Sequence, residues 1–568
     1  MKTEVLYIML RFWQGIKLGL ILAAPWLSNS RLLPQPWRAI VMSSALLLVI
    51  IASGQAHGQE APAERVAQAQ VQEAPVPVSV NLAGAFLEGS NIHDLGLLSA
   101  EQIAAADRAA AENFAEVNPR PPRVGVVRST GAVPLSIEQG FTLRTQLQKG
   151  NRLWTMAIRS PEAFGIRLHF SNFEVGEGSV IIYSQGESGL ISHGPYTGKG
   201  PNGTGEFWTA SLPGSTAFIE VSGTDAPKLQ VSEILHFDKH PAGVSEREEK
   251  KTGSLPLPCQ LDAMCFGSSS VHPFARDAVG QMNFVDGGMG YVCTGTILND
   301  LDNETFVPYF ITAFHCISTQ SVTNTLEVVW LWQRSSCGGT LPSYFSLPRS
   351  NGGTLLATNP TTGGNDMSFI RLNGEVLGGT LAGWTAAALP SSFAGIHHPG
   401  GDWKRGTIMH AELIVGCSSL PTSQYHYCEQ DSGITEGGSS GSGIFDSGGR
   451  LMGQLFGVCC PASHGDNCVN SDCTNRNQYN NVYGRFDVTY PLIQRWLEIG
   501  GTIHVDRAYS GVELGTPTQP FNTVTEAVNF AWNGARVNIR AGSYPENVTT
   551  SKTLTFLSNG GLVAIGVP

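Results

Sequence analysis

The stretch Gly437-Gly438-Ser439-Ser440-Gly441-Ser442-Gly443, running into the apolar pair Ile444-Phe445, sets serines among glycines just before a strand-like run. Glycine lets a chain turn through conformations other residues avoid, so the N–H groups of Gly438 and Ser440 can converge on one point. Two further stretches complete a set. Tyr309-Phe310-Ile311-Thr312-Ala313-Phe314-His315-Cys316 is a strand ending in His-Cys, and Gly363-Gly364-Asn365-Asp366-Met367-Ser368-Phe369-Ile370-Arg371-Leu372 leads an Asp into an apolar strand. Acyl transfer needs a nucleophile, a base to take its proton and a carboxylate to fix the base's tautomer. Ser440, His315 and Asp366 supply these groups, with Gly438 and Ser440 N–H as oxyanion donors.

Composition narrows the setting. The 568 residues carry 35 Lys and Arg against 46 Asp and Glu, a net charge of −11, which argues against a nucleic-acid or anionic-membrane partner. Charged residues are 14% of the chain, against about 25% in an average soluble protein. With 66 Gly and 32 Pro, the chain reads as turn-rich and mostly β, and 42% apolar residues suffice for buried cores. All 11 cysteines fall between Cys259 and Cys473, as expected of one disulfide-stapled domain in an oxidising compartment. The odd count leaves one thiol unpaired or intermolecular. Cys459, Cys460, His464, Cys468 and Cys473 form the rival zinc set, but they lack two C-x-x-C knuckles. No metal and no cofactor is expected.

Four segments follow along the chain. Residues 39–52, AIVMSSALLLVIIA, are preceded by Arg31 and Arg38 and followed by Ala52, Gly54, Ala56 and Gly58. The run is shorter than the roughly 20 residues of a membrane span, so residues 1–58 read as a secretory signal and the protein as secreted. Residues 59–251 hold a helix over 100–115, then the strand-like runs RLWTMAI, GIRLHF, SVIIYS, EFWTASL and AFIEVS, a cysteine-free β-sandwich. The formal G-x-G-x-x-G at Gly198 to Gly203 contains Pro201 and Asn202, opens no helix, and reads as a turn. Residues 241–258 form a charged, Pro-bearing linker suited to nicking, with Arg247, Lys250 and Lys251 ahead of the expected mature start. Residues 252–500 are the cysteine-rich domain, closed by a helix with Leu492, Ile493, Trp496 and Leu497 on one face. Residues 501–568 contain the brief strands IHVD, RVNIRAG and LTFLS.

The pieces PCQLDAMC, VCTGTILN, PYFITAFHC, VVWLWQRSSC, AGW, GIHHPGG, GITEGGSSGSGIF and GQLFG together resemble the chymotrypsin-like serine proteases, most closely the bacterial lysyl endopeptidases. The resemblance spans about residues 254–500. It implies an all-β fold: a double six-stranded β-barrel with His315 and Asp366 on the first barrel and Ser440 on the second. It further implies that residues 59–251 act as a propeptide, the protein's own inhibitor and folding aid, and that protein or peptide substrates are cut. By the same resemblance Cys293 pairs with Cys316, Cys265 with Cys337, and Cys259 with one of Cys460, Cys468 and Cys473. Cys417 and Cys428, on one hairpin-like stretch, are expected to pair with each other. His397 and His398 follow Asp366, the wrong order for the base in this family, and read as a structural or substrate-side loop.

Several positions depart from the family. Gly443 stands where Pro is usual, and Ser439 where animal trypsins have an Asp that pairs with the freed N-terminus. Ile434, Phe456, Gly457 and Asn481 are expected at the substrate pocket. Asn481 takes the place of the lysyl endopeptidases' Asp, and Phe456 that of a His. Cleavage after Lys is the leading expectation, slightly ahead of a pocket for uncharged side chains. The tail resembles the opening rungs of a parallel β-helix, which suits cell-surface or carbohydrate contact and leaves catalysis to the barrels. The rival function is a non-catalytic adhesin or carbohydrate-binding protein carrying a protease-like module; the complete triad favours the enzyme.

Overall fold

The computed structural model describes residues 60–566 apart from 67–73, 82–90, 114–120, 133, 147–149, 187–188, 225–226, 244–258, 268–271, 413–418 and 460–479. The signal segment, Arg247, Lys250, Lys251, Cys417, Cys460, His464, Cys468 and Cys473 lie outside the described residues.

Two barrels form the centre. Seven antiparallel strands make the first sheet, in the order Arg349–Asn351, Glu327–Val329, Val279–Asp286, Met289–Leu298, Tyr309–Ala313, Met367–Leu372 and Gly353–Asn359. Its two end strands are consecutive in the chain and meet at Gly352, whose φ of +67° permits the corner. In the second barrel six strands form a ring: Phe393–His397, Arg405–Ala411, Tyr425–Ser432, Asn480–Arg485, Arg450–Cys459 and Gly443–Phe445. Closure leaves no sheet edge there. The fold is a chymotrypsin-like double barrel.

The segment before it packs two sheets over a core that includes Met156, Ile158, Ile182 and Val221 from one and Ile166, Leu168, Phe170 and Ile234 from the other. The second of these sheets runs on into the first barrel, because Arg123–Ser129 pairs with both Lys228–Phe237 and Met289–Leu298. EFWTASL is not one strand. It splits into Phe207–Trp208 and Leu212–Pro213, because Ser211 N–H and hydroxyl both turn to the Glu327 carboxylate of the first barrel, at 2.8 and 2.5 Å. Residues 60–66 also reach the barrels: Glu60–Ala61 pairs with Gly383–Thr385, and Glu64–Arg65 with Thr380–Leu381.

The helix over 100–115 is Ala100–Asn113. The closing helix is Phe486–Ile499, earlier in its start than the apolar pattern predicts. Its buried stripe is Phe486, Tyr490, Ile493 and Leu497, which leaves Leu492 45% exposed rather than packed. Beyond it Thr502–Val505, Arg536–Tyr544 and Thr555–Ile565 stack in parallel, and Tyr309 Oη donates to Gly500 O at 3.0 Å.

Cys265 is bonded to Cys337 and Cys293 to Cys316, and Cys259 and Cys459 are disulfide-bonded as well. The last fact removes Cys459 from the zinc set. The expected Cys417–Cys428 bridge is not made. Cys428 is a free thiol in the core of the second barrel, among Phe393, Met409, Ile444, Leu455 and Tyr483, and burial pushes its pKa well up. Strand alternation aims it inward, where it packs as a small apolar side chain.

The junction between the first β-domain and the barrels holds buried charge. Glu327 is fully buried and accepts from Ser211, from Asn283 Nδ2 at 3.0 Å and from Arg349 Nε at 3.0 Å. Burial alone would raise its pKa, but Arg349, Arg167 and the Ser211 bonds outweigh it and hold it at about 2. His193, beside Ser211 O at 3.1 Å, is lowered to about 4 by burial and by Arg349, against the pull of Glu327. Both signs agree. Glu327 contributes stability above its ordinary pKa that is lost as pH falls toward 2. His193 is neutral when folded and ordinarily titrates near 6.5, so unfolding takes up a proton as pH drops. The urea midpoint of the full chain should therefore decline from about pH 6.5 downward. His193→Gln should make the decline between pH 6.5 and 4 shallower; an unchanged slope would remove His193 from the account.

Candidate active site

Asp366 sits at the mouth of strand Met367–Leu372 with φ of +58°, a conformation few non-glycine residues hold. Neighbours enforce it: Phe314 N–H donates to Asp366 O at 3.0 Å, and Gln454 Nε2 donates to Asn365 O at 2.8 Å. Its carboxylate is thereby presented to His315. Oδ2 lies 2.8 Å from His315 Nδ1, while Oδ1 accepts from His315 N–H at 3.1 Å and the Thr361 hydroxyl at 2.6 Å. A carboxylate can only accept, so Nδ1 carries the proton and Nε2 keeps its lone pair. The Cys293–Cys316 bond ties the residue after His315 to strand Met289–Leu298.

Ser440 comes from the second barrel. The turn before it docks on Thr294 of the first: Thr294 N–H donates to Ser440 O at 2.9 Å and its hydroxyl to Gly438 O at 2.8 Å. The Thr294 hydroxyl also accepts from His398 N–H at 3.1 Å. A Cβ on Gly441 would lie 2.8 Å from Ala313 N, so this approach to the strand leading into His315 needs glycine. Ser440 Oγ and His315 Nε2 are both buried, and neither has a hydrogen-bond partner among the described residues. The two candidate side chains are thus not hydrogen-bonded to each other, as in many sites without substrate. Gly438 has φ of +94°, and a side chain there would strike Gly400 N.

The four pocket candidates are all buried. Phe456 packs edge-on against the His315 ring at 5.8 Å between centroids and lies with Leu420, Tyr425, Tyr427 and Val482 in one apolar cluster. Asn481 Oδ1 accepts from the Thr435 hydroxyl, and its Nδ2 has no partner among the described residues. Gly457 pairs opposite Val482 on the neighbouring strand, and Ile434 precedes Thr435 in the chain. The histidine pair divides its work: His397 Nδ1 is 2.8 Å from Ser439 Oγ, and His398 Nδ1 is 2.8 Å from Asp402 O. Thr294, Thr361, Thr435 and the His397–Ser439 contact are absent from the sequence reading. Thr294, Thr435, His397 and Ser439 lie within the quoted pieces VCTGTILN, GITEGGSSGSGIF and GIHHPGG, but nothing in those pieces pairs them.

Residues 257–480 match the family described as "Lysyl endopeptidase, C-terminal domain". Over these residues the central domain is similar to the lysyl endopeptidases. A lysyl endopeptidase of Pseudomonas aeruginosa is 27% identical over 388 residues, which cover 65% of this chain and 75% of the relative. Among solved structures, an inactivated protease paralogue of the scabies mite covers 39% of this chain and 94% of its own, at 13% identity and a TM-score of 0.28. The MamO protease domain of Magnetospirillum magneticum covers 39% and 98%, at 13% identity and a TM-score of 0.25. The double-barrel assignment stands on the strand pairing described above.

Thr294→Val keeps the shape of the side chain but leaves Gly438 O and His398 N–H unpaired. Its unfolding free energy in urea should fall by about 1–3 kcal/mol, the cost of buried unsatisfied groups.

Proposed function

We propose that the chain is a secreted serine endopeptidase, made as a proenzyme, that hydrolyses peptide bonds through an acyl-enzyme on Ser440. The observation that carries this reading is His315 held by Asp366 on both its backbone and its ring, which leaves its buried Nε2 without a partner among the described residues. Ser440 Oγ attacks the scissile carbonyl carbon and gives its proton to His315 Nε2. The negative oxygen that develops is met by Gly438 and Ser440 N–H, and Asp366 stabilises the imidazolium. His315 then protonates the leaving amine, and a water repeats the sequence to release the acid.

In this reading residues 1–58 direct export and residues 59–251 are the propeptide. Residues 252–500 are the protease domain, and residues 501–568 make surface or carbohydrate contact. The shared sheet and the buried Glu327 network support a first β-domain that folds with the barrels and shields them until the linker is cut. For the residue cut after, the relative named a lysyl endopeptidase supports Lys. Asn481 offers only a neutral amide, so we propose a lysine preference weaker than a carboxylate pocket would give.

Ser440→Ala should lower kcat on peptide substrates at least about 10³-fold and abolish labelling by a fluorophosphonate. Normal cleavage by the secreted variant would remove Ser440 as nucleophile. A peptide library varied at the residue before the cut should show Lys first, and Asn481→Asp should raise that preference about tenfold or more. Should Lys not exceed Leu, Phe and Gln, the lysine assignment falls while the serine-peptidase assignment stands.

A further inference from the structure

Every carbonyl of the turn Gly437 to Ser440 is held by a donor. Gly437 O accepts from Gly400 N–H at 2.6 Å, Gly438 O from the Thr294 hydroxyl at 2.8 Å, Ser439 O from Ser442 N–H at 3.0 Å and Ser440 O from Thr294 N–H at 2.9 Å. A trans peptide is planar, so fixing one carbonyl fixes the direction of the next N–H. The Gly400 bond therefore aims Gly438 N–H, and the Ser442 bond aims Ser440 N–H. Neither aimed N–H meets an acceptor among the described residues.

One side chain also holds the entry of the turn. Ser439 N–H donates to Glu436 O at 3.0 Å, and Glu436 N–H donates back to Ser439 Oγ at 3.1 Å. That hydroxyl is only 2.8 Å from His397 Nδ1. His397 is wholly buried at the end of strand Phe393–His397, just before the loop that carries Gly400, so one short segment grips both ends of the turn. All of these contacts exist in the uncut chain, with the first β-domain in place.

We propose that His397 is a positioning residue for the oxyanion donors, acting through Ser439 to hold the 436–440 turn in its working shape before any cleavage of the chain. This rests on Ser440 being the nucleophile. Burial, with Arg405 nearby, lowers the His397 pKa to about 3, so the contact is neutral throughout the working range and carries no pH switch. A neutral bond within the fold needs no newly freed terminus to form it.

The test compares wild type, His397→Ala, His397→Asn, Ser439→Ala and the double variant, each produced as the full chain and allowed to process. Two ligands separate the roles: a peptide boronic acid, whose boronate oxygen occupies the oxyanion position, and the same peptide without the warhead. His397→Ala should lower kcat about 10- to 100-fold, less than the roughly 10²–10³ lost with an oxyanion donor itself. KM and plain-peptide affinity should stay within about twofold of wild type, boronate affinity should fall with kcat, and Asn should restore most of both, because the contact acts on the oxyanion alone. Ser439→Ala should match His397→Ala, and the double variant should be no worse than either. An unchanged kcat in folded His397→Ala overturns the proposal, as does an equal loss of affinity for both ligands. If His397→Ala fails to fold, Ser439→Ala and His397→Asn decide by the same readouts. Fluorophosphonate labelling of wild-type Ser440 separates the two readings: its absence sinks the nucleophile, whereas labelling at equal rates in wild type and His397→Ala sinks only the positioning role.

Discussion

Thr294 turns its N–H and hydroxyl to the second barrel and its carbonyl to the first. Its N–H and hydroxyl hold two carbonyls of the turn at Ser440, its hydroxyl receives His398 N–H, and its own carbonyl accepts from the Thr312 hydroxyl at 2.8 Å. Thr312 lies on strand Tyr309–Ala313, which ends two residues before His315, and the residue before Thr294 is Cys293, bonded to Cys316. One residue thus relates the strand leading to His315 to the turn bearing Ser440. Groups that must act together from separate barrels need such a joint, because a displacement near 1 Å can cost about 10²-fold in rate.

The junction with the first β-domain is built on a different principle. Glu327, Arg349 and Arg167 are buried charges, and a buried pair contributes little net stability over apolar packing. Its value lies in the penalty for separation: the barrel would keep the Glu327–Arg349 pair but lose the two Ser211 donors, and the first domain would carry away Arg167 without the neighbouring charge of Glu327. Ser211, held by Glu327 with both N–H and hydroxyl, shows how far the first domain gives up its own strand pairing to make this contact.

Local patterns singled out the candidate groups. His315 follows an apolar strand, Asp366 precedes one, and Ser440 sits among glycines, so each signature lies within a few residues of its centre. The groups that hold them are different in kind. Thr294 meets Gly438 across 144 positions and His398 across 104, and no window of sequence brings those residues together. Cys428 misled because nearness to Cys417 was taken for pairing, while strand alternation turns its side chain into the barrel. The closing helix misled in part because Phe486 and Tyr490, not Leu492, set the buried stripe. Pairing the runs of the first β-domain into sheets, one of them shared with a barrel, likewise depended on contacts far apart in the chain.

Strand Arg123–Ser129 covers the first barrel along only three residue pairs, with a register shift between Gly290 and Tyr291. Gly125 and Gly290 are pressed against Leu235 so closely that any Cβ on either would lie 2.9 Å from its side chain. Departure of the first β-domain would bare this short length of strand, and bare backbone is a template onto which other extended chains can add. The exposed ladder would be brief, irregular and poor in side chains to anchor a guest. The barrels without that domain would carry a weak docking edge rather than a sticky one.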